Sequence, residues 1–145
     1  MSIDTLRRAI EKRFIANWTG TTLAKVRFSN SIFNPPEDTS WASLDIRWMP
    51  TQKVSISSNL GVRRKGLIVI DLYVPIDEGT LELGTLADEA IGIYENIQFS
   101  VPDDSVGTSI QCFSADVRHV GVPNIQGTDP MWYKYSIRIE FYRDE

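Results

Sequence analysis

Residues 133–141 read YKYSIRIEF, and this stretch does most to decide the fold class. Apolar and polar side chains alternate through it, the apolar set being Tyr133, Tyr135, Ile137, Ile139 and Phe141. Successive side chains of a β-strand point to opposite faces of the sheet, so one face of this strand is predicted to meet the core. An apolar sheet face needs a second layer packed against it. The stretch therefore predicts a sheet, and other segments must supply the covering layer.

Two segments have the periodicity of amphipathic helices. In the first, predicted to be capped by Ser2 and to end at Gly20, the apolar residues recur every three or four positions: Ile3, Leu6, Ile10, Phe14 and Trp18. In the second, Thr85 followed by Asp88 resembles a capping box, and the apolar side consists of Leu86, Ala87, Ala90, Tyr94 and Ile97. Both helices are predicted to cover the sheet.

The remaining strands are predicted at 26–28, 41–48, 67–74 and 109–120. The 67–74 segment is the most apolar and is predicted to be central, whereas the imperfect alternation of 109–120 indicates a bulge or bend. Residues 51–66 are polar and are interpreted as a long extended arm or hairpin connection. The prediction is one α+β domain over 1–145, with two helices mainly on one face of a four- or five-stranded, largely antiparallel sheet.

Composition limits the classes of function. The chain has 145 residues, a net charge of −4 and one cysteine, Cys112. Net acidity argues against general nucleic-acid binding, which needs a basic footprint. No apolar run approaches the ~20 residues of a membrane helix. The first helix could lie on a membrane surface because of Arg8, Lys12 and Arg13, but an amphipathic helix beside strands more often packs on a sheet.

The charges are divided unequally along the chain. Residues 1–65 carry eleven Lys and Arg against five acids, whereas residues 66–145 carry four against fourteen. Opposite-sign patches on one body favour head-to-tail contact between copies. The simpler alternative is that the imbalance only keeps the protein soluble.

No combination of residues predicts catalysis, a metal or a cofactor. Cys112 and the single histidine, His119, would lie ~23 Å apart on an ideal strand, too far for a nucleophile–base pair. A zinc site needs three or four convergent ligands, and the chain has no close-spaced Cys/His cluster. The acidic pairs, such as Asp103-Asp104, are interpreted as solvated surface. We therefore expect a protein that is not an enzyme.

The chain resembles the tail terminator, or tail completion, proteins of long-tailed bacteriophages. The resemblance includes the order of elements and extends over most of the chain. It is carried by short motifs: Arg64-Lys65-Gly66 entering the apolar strand, Val74-Pro75 leaving it, the acidic Asp77-Glu78-Gly79 turn, Leu86-Ala87-Asp88-Glu89-Ala90 opening the second helix, and Trp132-Tyr133 starting the long closing strand.

The resemblance implies a non-enzymatic virion protein that is made in the host cytoplasm and located at the head-proximal end of the tail. It would form a hexameric ring of identical subunits, end growth of the tail tube, and contact the tube protein and a neck protein. Family members have no catalytic residues and are often monomers when free. Alternatives are another neck or minor tail subunit, or a small α+β ligand-binding or accessory enzyme domain.

The charge division and the resemblance together predict a subunit interface. We expect the basic run Arg63, Arg64 and Lys65 of one copy to approach an acidic face on the next, formed by Asp77, Glu78, Glu82, Asp88 and Glu89. Each exposed pair contributes only ~0.2–1 kcal/mol, so repetition around a ring and the penalty on reversed packing would set the orientation.

Overall fold

The computed structural model describes residues 3–28, 33–34, 39–53, 61–75, 81–101, 109–121 and 132–144. Two helices and seven strands, besides a 3-10 turn at Leu23–Lys25, follow one another in these ranges. In chain order they are α1 (Ile3–Asn17), β1 (Val26–Phe28), β2 (Trp41–Trp48), β3 (Gln52–Lys53), β4 (Val62–Pro75), α2 (Leu81–Tyr94), β5 (Gln98–Phe99), β6 (Ile110–Gly121) and β7 (Trp132–Asp144).

The strands form one sheet in the order β1-β2-β4-β7-β6-β5, with the two-residue β3 paired to β4. Every pairing is antiparallel except β1 with β2. Both helices pack on one face, so the predicted α+β class is confirmed. The described residues hold seven strands rather than four or five, because very short strands such as β3 and β5 give no alternation to read.

The central ladder joins β4 to β7 from Arg63 opposite Asp144 to Pro75 opposite Trp132. Ile68, Ile70 and Leu72 of β4 point to the helical layer and are fully buried, as are Ile137 and Ile139 of β7. The prediction that the most apolar strand is central is therefore confirmed. This apolar face is where most of the core forms.

β4 begins at Val62, five residues before the predicted start, and takes in the end of the predicted arm. The other end of the arm, Gln52–Lys53, pairs with Val62 and Arg63. Both ends of the 51–66 segment thus belong to a hairpin within the sheet, whereas residues 54–60 lie outside the described ranges. This part of β4 is only half-buried and carries polar side chains, so its sequence lacks the apolar alternation that would predict a strand.

α1 buries Leu6, Ile10 and Phe14, and Trp18 follows it into the core, as the periodicity predicts. Ile3 is an exception, since it is largely exposed. The predicted Ser2 cap lies outside the described residues. Two hydrogen bonds fix α1 antiparallel to α2. The Tyr94 hydroxyl donates to the Ile10 carbonyl at 2.6 Å, and Arg13 Nε donates to the Ile93 carbonyl at 2.7 Å.

α2 starts at Leu81, so the predicted capping box at Thr85 is wrong. Thr85 lies one turn inside the helix, and its hydroxyl donates to the Leu81 carbonyl at 3.0 Å. A threonine can make this bond to the carbonyl four residues earlier without ending a helix. The same residue pattern therefore fits both a cap and an interior turn.

The irregularity predicted in the 109–120 strand is confirmed in β6, where the register with β7 shifts between Cys112 and Ala115. The turn after α2 contacts this bulge directly. Glu95 accepts a hydrogen bond from the Ala115 amide at 2.8 Å, and the Asn96 amide donates to the Phe113 carbonyl at 3.0 Å. Phe113, next to the buried Cys112, lies on the outer sheet face, where its ring is 5.5 Å from that of Tyr142.

Replacing Gly66 with valine is expected to destabilise the fold by about 1–3 kcal/mol. A Cβ at Gly66 would lie 2.6 Å from the Phe141 ring and 3.0 Å from the Arg47 carbonyl, inside a paired part of the sheet. The matched control is Gly92→Ala on α2, where a Cβ meets nothing within 4 Å and helix propensity improves. Urea unfolding should therefore shift in opposite directions for the two variants. Equal stabilities would contradict the packing argument.

Candidate functional site

Arg63, the first residue of the predicted basic run, is neutralised within its own subunit. Its Nε lies 2.8 Å from Asp144 Oδ1 and a terminal nitrogen lies 3.1 Å from Oδ2, a two-point contact from β4 to β7. The guanidinium also lies 4.1 Å above the Tyr142 ring. The hydrogen bond to Asp144 raises the pKa of Arg63. Arg63 therefore stabilises the pairing of β4 with β7, and its positive charge is balanced by Asp144 rather than presented to another molecule.

The next two residues alternate between the faces of β4. Lys65 shares the outer face with Arg63, opposite Tyr142, whereas Arg64 points to the helical side opposite Arg143. Arg64 reaches the Thr51 hydroxyl at 3.5 Å, near the β3 hairpin. The basic run is thus divided between two faces of the sheet. Arg63 and Lys65 lie on the outer face, and of these two only Arg63 is bound to Asp144.

Reversing Arg63 alone to glutamate is expected to lower the thermal midpoint of the monomer. The change sets a carboxylate opposite Asp144, where like charges across a ladder are destabilising. Lys65→Glu is the matched control, because its strand neighbour is Tyr142 rather than an acid. The double variant with Asp144→Arg should regain part of the lost midpoint. A normal midpoint for Arg63→Glu would show that the pair contributes nothing. A reversal test of the interface should therefore spare Arg63.

Two members of the predicted acidic face bind other segments of the same chain. Glu82 accepts a hydrogen bond from the Ser40 hydroxyl at 2.7 Å. Glu89 accepts from both the amide and the hydroxyl of Thr19, at 2.5 and 2.6 Å. Asp88, the residue before Glu89 on α2, is exposed. The structure thus brings these three residues together on one helix, while Asp77 and Glu78 lie outside the described residues.

The basic run and the start of α2 lie toward opposite ends of the domain. Glu82 and Pro75 line one surface cavity of about 300 Å³, so the first turn of α2 is near the end of β4. Arg63 is near the start of β4, and at about 3.3 Å per residue the strand separates it from Pro75 by about 40 Å. Lys65 therefore does not reach Glu82 of its own subunit, an arrangement suited to contact between copies.

Two of the grooves formed by the described residues lie on the outer sheet face. The smaller, of about 170 Å³, is lined by Arg27, Asp45 and Asp71, among others. Asp71 Oδ2 is 3.5 Å from Lys134 Nζ, while its Oδ1 is buried without a hydrogen-bond partner among the described residues. The larger, of about 520 Å³, extends from Met49 to the β6 bulge. The outer face is thus polar at its centre and partly apolar near Phe113.

Cys112 and His119 do not come together. They pair with Phe141 and Tyr135 of β7, positions about 20 Å apart along a strand. Cys112 is buried, and burial raises the pKa of its thiol to about 12. Among the described ranges no three His, Cys, Asp or Glu side chains converge as a metal site would require. Within the same ranges no helix has the length and apolarity to cross a bilayer.

No protein-family model matches the chain, and no curated protein matches it. The fold is similar to a solved structure of a protein whose name states no function, with a TM-score of 0.69 and 17% identity. The match covers 100% of this chain and 96% of the other. Identity this low shows a common fold alone, since one fold supports many functions.

Sequence reasoning missed the internal partners of the charged residues. Alternation of β7 places Asp144 on the same face as Glu140, but only the register with β4 sets it opposite Arg63. No sequence pattern predicts that Ser40 and Thr19 bind Glu82 and Glu89. Each lies outside a regular element and is more than 40 residues from its acidic partner. Long-range polar pairs of this kind depend on packing.

Proposed function

We propose that this protein is a structural subunit of a bacteriophage tail that assembles into a ring, with six copies the expected number. The ring ends growth of the tail tube at its head-proximal end and offers a surface to the neck. The observation that carries the proposal is the placement of Lys65 and the acidic first turns of α2 toward opposite ends of one domain. Such polarity favours head-to-tail contacts, which form a ring when the rotation between copies closes and a filament when it does not.

The sequence motifs and the fold both support this assignment. Arg64-Lys65-Gly66 form the early part of the central strand β4, and α2 presents Asp88 to solvent. The geometry also revises the interface expected from sequence alone, because Arg63, Glu82 and Glu89 have partners in their own chain. Lys65 and Asp88 are the charges best placed for a neighbouring copy.

Reversing both Arg64 and Lys65 to glutamate is expected to abolish capping of tail tubes while the monomer stays folded. Electron microscopy of purified protein mixed with tubes gives the readout, as the fraction of tubes with a density at one end. The matched control reverses Lys12 and Arg27, two exposed residues with the same total charge change. Adding Asp88→Lys to the first variant should restore part of the capping.

Capping should also weaken as salt rises past the physiological range, where the screening length falls below ~8 Å. Normal capping by the double reversal would exclude this interface. Failure of the wild-type protein to bind tubes at any salt concentration would exclude the function. Binding along the tube wall, rather than at its end, would instead favour a minor tail subunit.

A further inference from the structure

Leu81, the first residue of α2, has an apolar side chain that lies outside the core of the described residues. It is 86% exposed, the highest value among the large hydrophobic residues in the described ranges. Asp88 lies two turns along the same side of the helix, and Glu82 is adjacent in sequence. Gly84 is near this surface, and a Cβ there would meet nothing within 4 Å. Leu81 thus projects from the side of α2 that also carries Asp88.

The larger outer groove has the complementary properties. Met49, Leu67 and Phe113 give it an apolar lining, and Phe113 is 46% exposed. Arg118 and Arg138 contribute positive charge beside Asp116 and Glu140, which also line it. A volume of about 520 Å³ is ample for a leucine side chain and its flanking residues.

Two hydrogen-bond donors near the groove are suited to acidic side chains. Arg138 Nε is buried and has no hydrogen-bond partner among the described residues, so the guanidinium must shift before that nitrogen can donate to an acceptor from outside. Lys65 lies two residues from Leu67 on the same face, and its carbonyl accepts a hydrogen bond from the Met49 amide at 3.0 Å. Asp116 is already bound to Arg118 at 3.2 Å, which reduces its repulsion of an acidic partner.

Leu81 and the groove face away from each other. Leu81 belongs to the helical layer near the Pro75 end of β4, whereas the groove opens on the opposite face of the sheet near Lys65. Leu81 therefore does not reach the groove of its own subunit. We propose that Leu81 of one copy inserts into the Met49–Leu67–Phe113 groove of the next, with Asp88 directed to Lys65. The inference rests on the proposed function, since it names the junction of that ring.

Leu81→Gln is expected to weaken self-association about tenfold to a hundredfold, because it removes one buried leucine from each junction. Ile15→Gln is the matched control, since Ile15 is 44% exposed on α1 and lies outside the groove. Phe113→Gln should weaken association by a similar factor. The double variant should lose little more than either single one, as residues in direct contact are not additive. Sedimentation over a range of concentrations measures these changes.

Cross-linking tests the contact directly. Copies with Leu81→Cys are mixed at millimolar concentration with copies that carry Ser114→Cys, at the exposed groove edge, and a short bismaleimide is added. We expect mixed cross-linked species well above the yield of Ile15→Cys with Ser114→Cys, and little background from the buried Cys112. A yield equal to that control overturns the inference, even if the protein caps tails. A high yield without tail capping upholds the junction and counts against the proposed function.

Discussion

Replacing Phe14 with alanine is expected to lower the free energy of unfolding by about 3–5 kcal/mol. Phe14 is fully buried at the junction of α1 and β1. Its ring stacks on Trp18 with centroids 5.1 Å apart and meets the edge of Phe28 at 6.3 Å. Removing the ring leaves a cavity bounded by two other aromatic side chains, which cannot collapse without moving β1 from the sheet edge.

The control for this loss is Ile15→Ala, one position further along α1. Ile15 faces solvent, so the change should alter the free energy of unfolding by no more than about 0.5 kcal/mol. Urea unfolding monitored by tryptophan fluorescence measures both variants, because Trp18 reports on the affected packing. A Phe14→Ala protein as stable as Ile15→Ala would contradict the assignment of α1 to the core.

Alkaline pH is expected to destabilise the protein from about pH 9 upward. Burial raises the pKa of Cys112 from 9.0 to about 12, and burial also raises the pKa of Tyr94 well above its ordinary value. Below pH 9 both groups are protonated whether the chain is folded or unfolded, so their contribution is fully present. Between pH 9 and 12 the unfolded thiol ionises first, and stability falls by about 1.4 kcal/mol per pH unit for Cys112 alone.

Cys112→Ala separates this effect from other alkaline changes. The variant should be less stable than wild type near neutrality because it loses a buried sulfur. Its stability should then decline less steeply with pH, so the two curves approach each other as pH rises. Urea midpoints at several values between pH 8 and 11 measure both slopes. Parallel slopes would mean that the folded state does not keep the thiol protonated.

Local patterns predicted the parts of the fold in which one face of an element is buried. The structure buries, wholly or partly, the positions predicted from the alternation in 133–141 and from the spacing of Leu6, Ile10 and Phe14. Core positions recur along a strand or helix with the period of its own backbone, so the pattern can be read from sequence. The start of α2 was misplaced because a threonine suits a cap as well as an interior position of a helix.

The candidate site was only partly accessible from sequence. The uneven division of charge led to the hypothesis of an interface between the basic run and α2, but it could not show which charges were available. Arg63 is bound to Asp144, and Glu82 is bound to Ser40, through contacts that join residues 81 and 42 positions apart. Leu81 and Phe113 looked like ordinary apolar residues, and their exposure became evident only from the packed domain.

The sequence by itself determined the α+β class, the two one-sided helices and the concentration of opposite charges in the two parts of the chain. These properties depend on the order of side chains along single elements, and neighbouring residues within an element keep their spacing when it packs. Only the tertiary structure decided the strand register, the internal neutralisation of Arg63 and the separation of Leu81 from the outer groove. Those properties depend on distances between elements, which are set by how the helices and strands share one core.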